Sequence, residues 1–336
     1  MKKHLLYIIP LLLVIAAGAF LLWTVKSPVT TNGGSFNLRD GETADDVQLK
    51  IQEQLSPRQT FGLRLLAWAV HFDRHVHSGH YEIVPNSSSF DIIRQLKNGI
   101  QTPIRLTIPS VRTKEDLSGQ IARRLMMDST SLVRLMGDSS LCSRYGMDTA
   151  TVICLFIPNT YEVYWNISPQ RLLDRMKREY DAFWTPQRKT QAKAHGLTPV
   201  EAMTLASIID EETAYVPEKN NIAGMYLNRL HRNMLLQADP TVKYALRQFQ
   251  LRRIYNDMLT TDSPYNTYRY PGLPPGPIRI PTVSAIDAVL NAAEHDYLYM
   301  CAKDDFSGSH QFAHTLSEHM ANARRYIRAL NQRGIR

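Results

Sequence analysis

Cysteine is scarce in this chain. Its 336 residues hold three, Cys142, Cys154 and Cys301, with no CxxC pair among them. An odd, scattered set argues against a disulfide framework and a zinc knuckle, and leaves small buried apolar residues as the plain reading. The eleven histidines include no HExxH or comparable ligand spacing, so a metal site is not expected. No long basic run and no nucleic-acid motif occurs, which puts nucleic acid last among partners despite a net charge of +8. Internal repeats and low-complexity tracts are missing as well, and solenoids go with them. What is present is ordinary for a folded protein: 44% hydrophobic and 21% charged residues, with length for roughly two domains. The mild basic excess suits an anionic partner such as cell wall or lipid headgroups.

Charge is also absent from Leu5 to Val25, between Lys2-Lys3 and Lys26. A bilayer core of about 30 Å takes about 20 helical residues, so this run is long enough to span. A cleaved signal peptide, the alternative, would be shorter and end in small residues. This run ends in Phe20-Leu21-Leu22-Trp23, and Trp23 suits a membrane interface. We therefore expect an uncleaved anchor, with Pro10 tolerated inside it. The leading lysines place the N-terminus in the cytoplasm and everything after Lys26 outside it.

Residues 27–34 read as a short Ser/Thr/Gly/Pro linker. Beyond them strands and helices interleave. Phe36 and Leu38 alternate with polar neighbours; a helix follows with Val47, Ile51 and Leu55; helical patterning runs from Phe61 to Phe72 with apolar residues on most faces. Gly79 to Val84 is strand-like, Ser88 to Asp91 starts a helix ended by Gly99, and Pro103 to Ile108 is strand-like again. A compact α+β unit over 35–108 results. The stretch from Thr113 to Met136 reads as helical, as does Pro169 to Trp184.

One helix carries the chemistry. Thr198 is a good N-cap, Pro199 fits the first helical position, and Glu201 completes a capping box. Ala202, Leu205, Ala206 and Ile209 then mark a buried stripe. Three carboxylates end the helix, Asp210, Glu211 and Glu212. At about 100° per residue, Glu212 lies roughly 20° from Leu205, whereas Asp210 and Glu211 lie roughly 140° and 120° away on opposite sides. Glu212 is thus the carboxylate expected to point inward. Burial and the negative helix end both raise its pKa, as a general acid requires. A solvated acidic helix end is the plainer alternative.

Seven blocks recur in order. They are Phe156 to Tyr161, Ala206 to Thr213, Tyr226 to Leu230, Leu236 to Val242, Ser263 to Tyr268, Gly272 to Ile278 and His310 to Phe312. On these blocks the chain resembles the YceG-like family of endolytic murein transglycosylases, over nearly all of 35–335 and the anchor. The second glutamate of that family's Glu-x-Glu-Thr pattern is catalytic, and it falls on Glu212. Asp210 stands where the family has the first glutamate, and Asn159 where it usually has Asp.

The resemblance implies an α+β protein with an anchor over 1–26, a linker over 27–34, a LysM-like subdomain over 35–108 and a mainly helical α+β catalytic domain over 109–336. It implies an inner-membrane enzyme with no cofactor, facing the wall, acting on peptidoglycan glycan strands beside peptidoglycan synthases. Glu212 is then the single acid and base: it protonates the MurNAc–GlcNAc oxygen, and the sugar's own C6 hydroxyl closes a 1,6-anhydro end. Candidate sugar contacts are Asn228, Gln237, Asp239, Tyr265, Asn266, Tyr268 and His310. Each also has a structural reading, such as a helix cap for Asp239 or a turn for the amides. The stiff Gly272–Pro277 loop is expected to wall the cleft. Two other readings remain: a two-carboxylate muramidase using Asp239 or Glu211 as well, and a non-catalytic wall-binding scaffold.

Overall fold

A computed structural model of the chain describes residues 2–27, 33–52, 57–72, 76–251 and 253–334. Most of the expected linker, and Leu55 of the first expected apolar stripe, lie outside the described residues. The architecture is α+β with an apolar N-terminal helix, and the chain divides into two compact units.

The first unit comprises Met1–Leu106 with Arg123–Met127 and Tyr161–Ser168. The last two segments are ones that a boundary at 108 assigns to the catalytic domain. They tie to each other through the Met126 amide on the Trp165 carbonyl, and Asn166 donates to Ser78. Helix α1 (Lys2–Lys26) is long and apolar enough to cross a membrane. Strand β1 (Gly34–Leu38) is followed by α2 (Ala44–Gln52), α3 (Pro57–Ala69), strand β2 (Gly79–Ile83), α4 (Ser89–Lys97) and strand β3 (Ile104–Thr107). β1 and β2 pair antiparallel, with Phe36 opposite Tyr81 and Leu38 opposite Gly79. Leu38, Tyr81 and Ile83 join Val47, Ile51, Leu63, Phe72, Ile92, Ile93 and Leu96 in one core. α4 starts where Ser88 predicts it, because Ser88 and Asp91 form a reciprocal capping box.

The second unit holds the remainder. The expected helix from Thr113 to Met136 is two helices, α5 (Lys114–Ala122) and α6 (Ser129–Gly137). Asp128 divides them, its carboxylate accepting from the Ser131 amide and capping the second. α7 (Ser139–Arg144) follows; strand β4 (Thr160–Val163), which apart from Thr160 belongs to the first unit, pairs with β3. Next come α8 (Pro169–Phe183), α9 (Pro186–Ala194), α10 (Pro199–Glu212), α11 (Lys219–His231), α12 (Asp239–Ala245) and α13 (Val283–Leu290). Strands β5 (Tyr299–Ala302) and β6 (His310–Ala313) form an antiparallel ladder before α14 (Leu316–Gln332).

Helix α10 is the centre of this unit. Thr198 caps it, Pro199 opens it, and the Glu201 carboxylate returns to the Thr198 amide at 2.8 Å. Every residue from Ala202 to Ile209 is buried, not only the expected stripe. Helices α9, α11, α12 and α13 surround it, so inward is not a single direction along this helix. That overturns one step of the sequence argument, since Asp210 is also taken inside, on another side.

Candidate active site

The C-terminal turn of α10 sends its three carboxylates to different environments. Asp210 is sealed in, its side chain 3% exposed and that of its partner Lys219 4%. Its oxygens accept from the Lys219 ammonium, the Thr282 amide and the Thr282 hydroxyl. Thr282 caps α13, so Asp210 fastens α13 and α11 to α10. It lines no cavity described for this chain. Glu211 turns the other way and accepts two hydrogen bonds from Arg112, at 2.7 and 2.8 Å, and one from Arg279 at 3.1 Å. Such a bidentate pairing fully engages a carboxylate.

Glu212 faces a cavity of about 360 Å³ lined also by Met225, Tyr226, Arg229, Gln237, Asp239, Tyr268, Tyr299, His310 and His319. The Tyr226 hydroxyl donates to its Oε1 at 2.6 Å. No described cation pairs with it. Burial pushes the Glu212 pKa up, the Tyr226 hydrogen bond pulls it down, and the nearby Asp239 charge pushes it up again. The direction is upward because loss of water outweighs a single neutral donor. Burial and the adjacent Glu212 together hold the Tyr226 phenol well above its ordinary range, so it stays a donor.

The opposite wall is tied down by hydrogen bonds. His310 sits at the start of β6, where its amide and Nδ1 both meet the buried Glu218, at 2.6 and 2.8 Å. Tyr268 donates to Asp239 at 2.6 Å, and burial followed by that contact raises its pKa. Asp239 opens α12, yet its side chain makes no cap; the Ala238 amide instead donates to the Thr267 hydroxyl at 3.0 Å. Gln237 has a φ of +51°, a left-handed backbone that non-glycine residues adopt at a cost, often at functional sites. Its side-chain oxygen accepts from Arg229.

Four of the seven expected sugar contacts, Gln237, Asp239, Tyr268 and His310, therefore line the cavity with Glu212. The other three lie elsewhere. Asn228 donates to the His295 and Tyr297 carbonyls. Asn266 is fully buried and donates to the carbonyls of Leu259 and Thr261, as a turn residue. Tyr265 stacks obliquely on Tyr244, their ring centres 4.8 Å apart, and lines a separate cavity. The Gly272–Pro277 loop does not wall the site either: Gly276 lies against the Ala150 carbonyl, where a Cβ would come within 2.6 Å.

Sequence reasoning missed Tyr226, Arg229 and His319. The Tyr226–Leu230 block contains the first two, and their i, i+3 spacing on α11 puts both on one face, with Asn228 off it. Arg229 is buried without a described carboxylate partner; the carbonyls of Leu235, Leu236 and Leu298 satisfy it. Burial lowers its pKa. His319 has a buried Nδ1 with no hydrogen-bond partner among the described residues, and burial lowers its pKa, so the ring stays neutral near pH 7. Among the described residues no group of His, Cys, Asp and Glu is arranged to hold a metal ion.

The sequence profile of the YceG-like family matches residues 36–325. An endolytic murein transglycosylase of Bacillus subtilis (strain 168) is 39% identical over 145 residues, 43% of this chain and 39% of that protein. Another, from Streptococcus pneumoniae serotype 2 (strain D39), is 27% identical over 285 residues, 74% of this chain and 50% of that protein. The chain thus spans half or less of the length of these curated relatives. Among solved structures, a yceG-like protein from Listeria monocytogenes has a similar fold, with a TM-score of 0.57 at 24% identity. That similarity covers 87% of this chain and 99% of the other.

Proposed function

The chain belongs to the YceG-like family, and from that premise we propose that it is a membrane-anchored endolytic peptidoglycan transglycosylase with Glu212 as its single acid and base. The observation that carries this reading is a carboxylic acid with a raised pKa, in an ion pair with no described cation, opening onto a polar cavity. In the proposed reaction protonated Glu212 gives its proton to the oxygen joining N-acetylmuramic acid to N-acetylglucosamine, and the C1–O bond breaks. The C6 hydroxyl of the same muramic acid then bonds to C1 while its proton passes to the Glu212 carboxylate. No water enters, and the acid is regenerated.

Tyr226 supports both halves of that cycle. Its hydroxyl occupies Oε1, which leaves Oε2 as the oxygen that exchanges the proton, and its hydrogen bond steadies the carboxylate between steps. Gln237, Asp239, Tyr268, His310 and His319 are the proposed sugar contacts. Asn228, Tyr265 and Asn266 are assigned structural roles instead. In the same reading residues 35–108 form a LysM-like subdomain, α1 holds the chain in the inner membrane with its N-terminus cytoplasmic, and the enzyme ends nascent strands beside the synthases that make them.

The muramidase alternative needs a second carboxylate. Glu211 is a poor candidate, being held by two arginines away from the cavity, which leaves Asp239. Product mass separates the two reactions. Glycan strands incubated with the full chain should release anhydro ends, one water (about 18 mass units) lighter than hydrolytic ends. Water-added products alone would refute the transglycosylase reading, and strands bound but never cut would favour a scaffold.

A further inference from the structure

Helix α3 is apolar on two sides, and only one of them meets the protein core. Leu63 is in that core, with Leu66, Ala67 and Val70 packed against it. Phe61, Leu65 and Trp68 fall on one stripe of the other side, within about 60° of each other at 100° per residue. Phe61 is 53% exposed and Trp68 78%. A helix that is apolar all round normally has apolar material on every side.

The position of this stripe says what that material is. At Gly62 α3 packs directly on the last turn of α1, where a Cβ would lie 2.8 Å from the Thr24 carbonyl and 3.6 Å from Ser89 Oγ. Thr24 is buried, whereas Tyr7 to Trp23 are almost all exposed. The first unit therefore meets α1 at the end where it leaves its apolar stretch. Phe61 precedes Gly62 and the half-exposed Phe90 follows Ser89, so both belong to the level of Trp23 to Lys26. Aromatic rings collect at that level of a bilayer. Arg64 and Arg94 are exposed on the same two helices, as is Lys26, and such groups complement lipid phosphates.

We propose that the Phe61–Leu65–Trp68 face of α3, with Phe90, lies in the headgroup layer of the membrane that α1 crosses. The first unit then rests on the bilayer as well as being tethered to it. This surface rests on the reading of α1 as a span, and continuity with that span selects lipid over a second protein as its occupant.

Tryptophan quenching tests the proposal on the full chain, reconstituted in phosphatidylcholine–phosphatidylglycerol vesicles with or without brominated acyl chains. Of the four tryptophans, Trp165 and Trp184 are buried and give a background common to all variants. Trp68→Phe leaves Trp23 to report on the span; Trp23→Phe leaves Trp68 to report on α3; the double variant sets the background. The expected result is bromine quenching of Trp68 comparable to that of Trp23. Quenching of Trp23 with full emission from Trp68 would overturn the surface and leave the span intact. Emission from both unchanged would overturn the span and the surface with it. If Trp68 is unquenched by lipid and instead shifts on adding glycan strands, the face belongs to the wall and the proposal falls.

Discussion

Asp210 and Glu212 leave the same turn of α10 and are both withdrawn from bulk water, yet they meet opposite company. Asp210 has a buried ammonium, an amide and a hydroxyl. Glu212 has one phenol and an open cavity. A carboxylate paired in a sealed site serves as a bolt between helices. An unpaired one beside a cavity is driven towards its protonated form, where it can give a proton away. Desolvation is common to the two, and the presence or absence of a cation separates structure from chemistry.

Replacing Glu212 by Gln should break the comparison most visibly. Strand cleavage should fall by about 10²- to 10⁴-fold, the usual weight of an acid–base group, with far-ultraviolet circular dichroism unchanged. The same variant should be more stable than wild type above the ordinary glutamate range. The sign follows from linkage: a raised pKa in the folded state means the folded protein binds more protons, so wild-type stability falls as pH rises from 4.5 through the folded pKa. Thermal melts at acidic and neutral pH check this, and an equal effect at both would count against a raised pKa.

Asp210→Ala is the mirror case. Leaving Lys219 buried without its partner should cost about 3–5 kcal/mol in urea titrations, while whatever protein remains folded still cuts strands. Loss of activity from a fully stable variant would instead give Asp210 a catalytic part. Tyr226→Phe should be milder. Its lost hydrogen bond lets the Glu212 pKa rise further, so the alkaline limb of the activity profile should move to higher pH, with the rate down by roughly tenfold, taking about 1.5 kcal/mol for a bond to a charged group. Glu211→Gln should matter least, about 1 kcal/mol in stability for a partly exposed pair and little in rate. A large rate loss there would revive Glu211 as a second carboxylate.

How much of this is legible in the sequence depends on the range of the forces involved. The ends of α10 and α4 are, because caps act over three residues: Thr198 with Glu201, and Ser88 with Asp91. The division of 113–136 into two helices has an equally local cause in Asp128, but a continuous apolar pattern hides it. The inward-facing argument for Glu212 reached a cavity-lining residue by a step that does not hold, because four neighbouring helices bury α10 on all sides and a stripe cannot say so. Tyr226 and Arg229 required knowing which face of α11 meets α10, and His319 which face of α14 meets the cavity. The β5–β6 ladder follows from pairing between distant residues, Tyr299 with Ala313 and Cys301 with Gln311, that neither strand announces alone. Amide residues were the least legible: Asn228 and Asn266 look like ligand contacts in sequence, and the structure occupies both with backbone carbonyls.

The most direct measurement of the central claim is the pH dependence of kcat/KM for strand cleavage by the full chain, wild type beside Tyr226→Phe. An acid that must start protonated predicts activity that declines on an alkaline limb lying above the ordinary glutamate range, and that limb moves upward in the variant. Activity that instead climbs with pH through the ordinary glutamate range, unmoved by the loss of Tyr226, would mean that Glu212 is already ionised when the substrate arrives, and the account would be wrong.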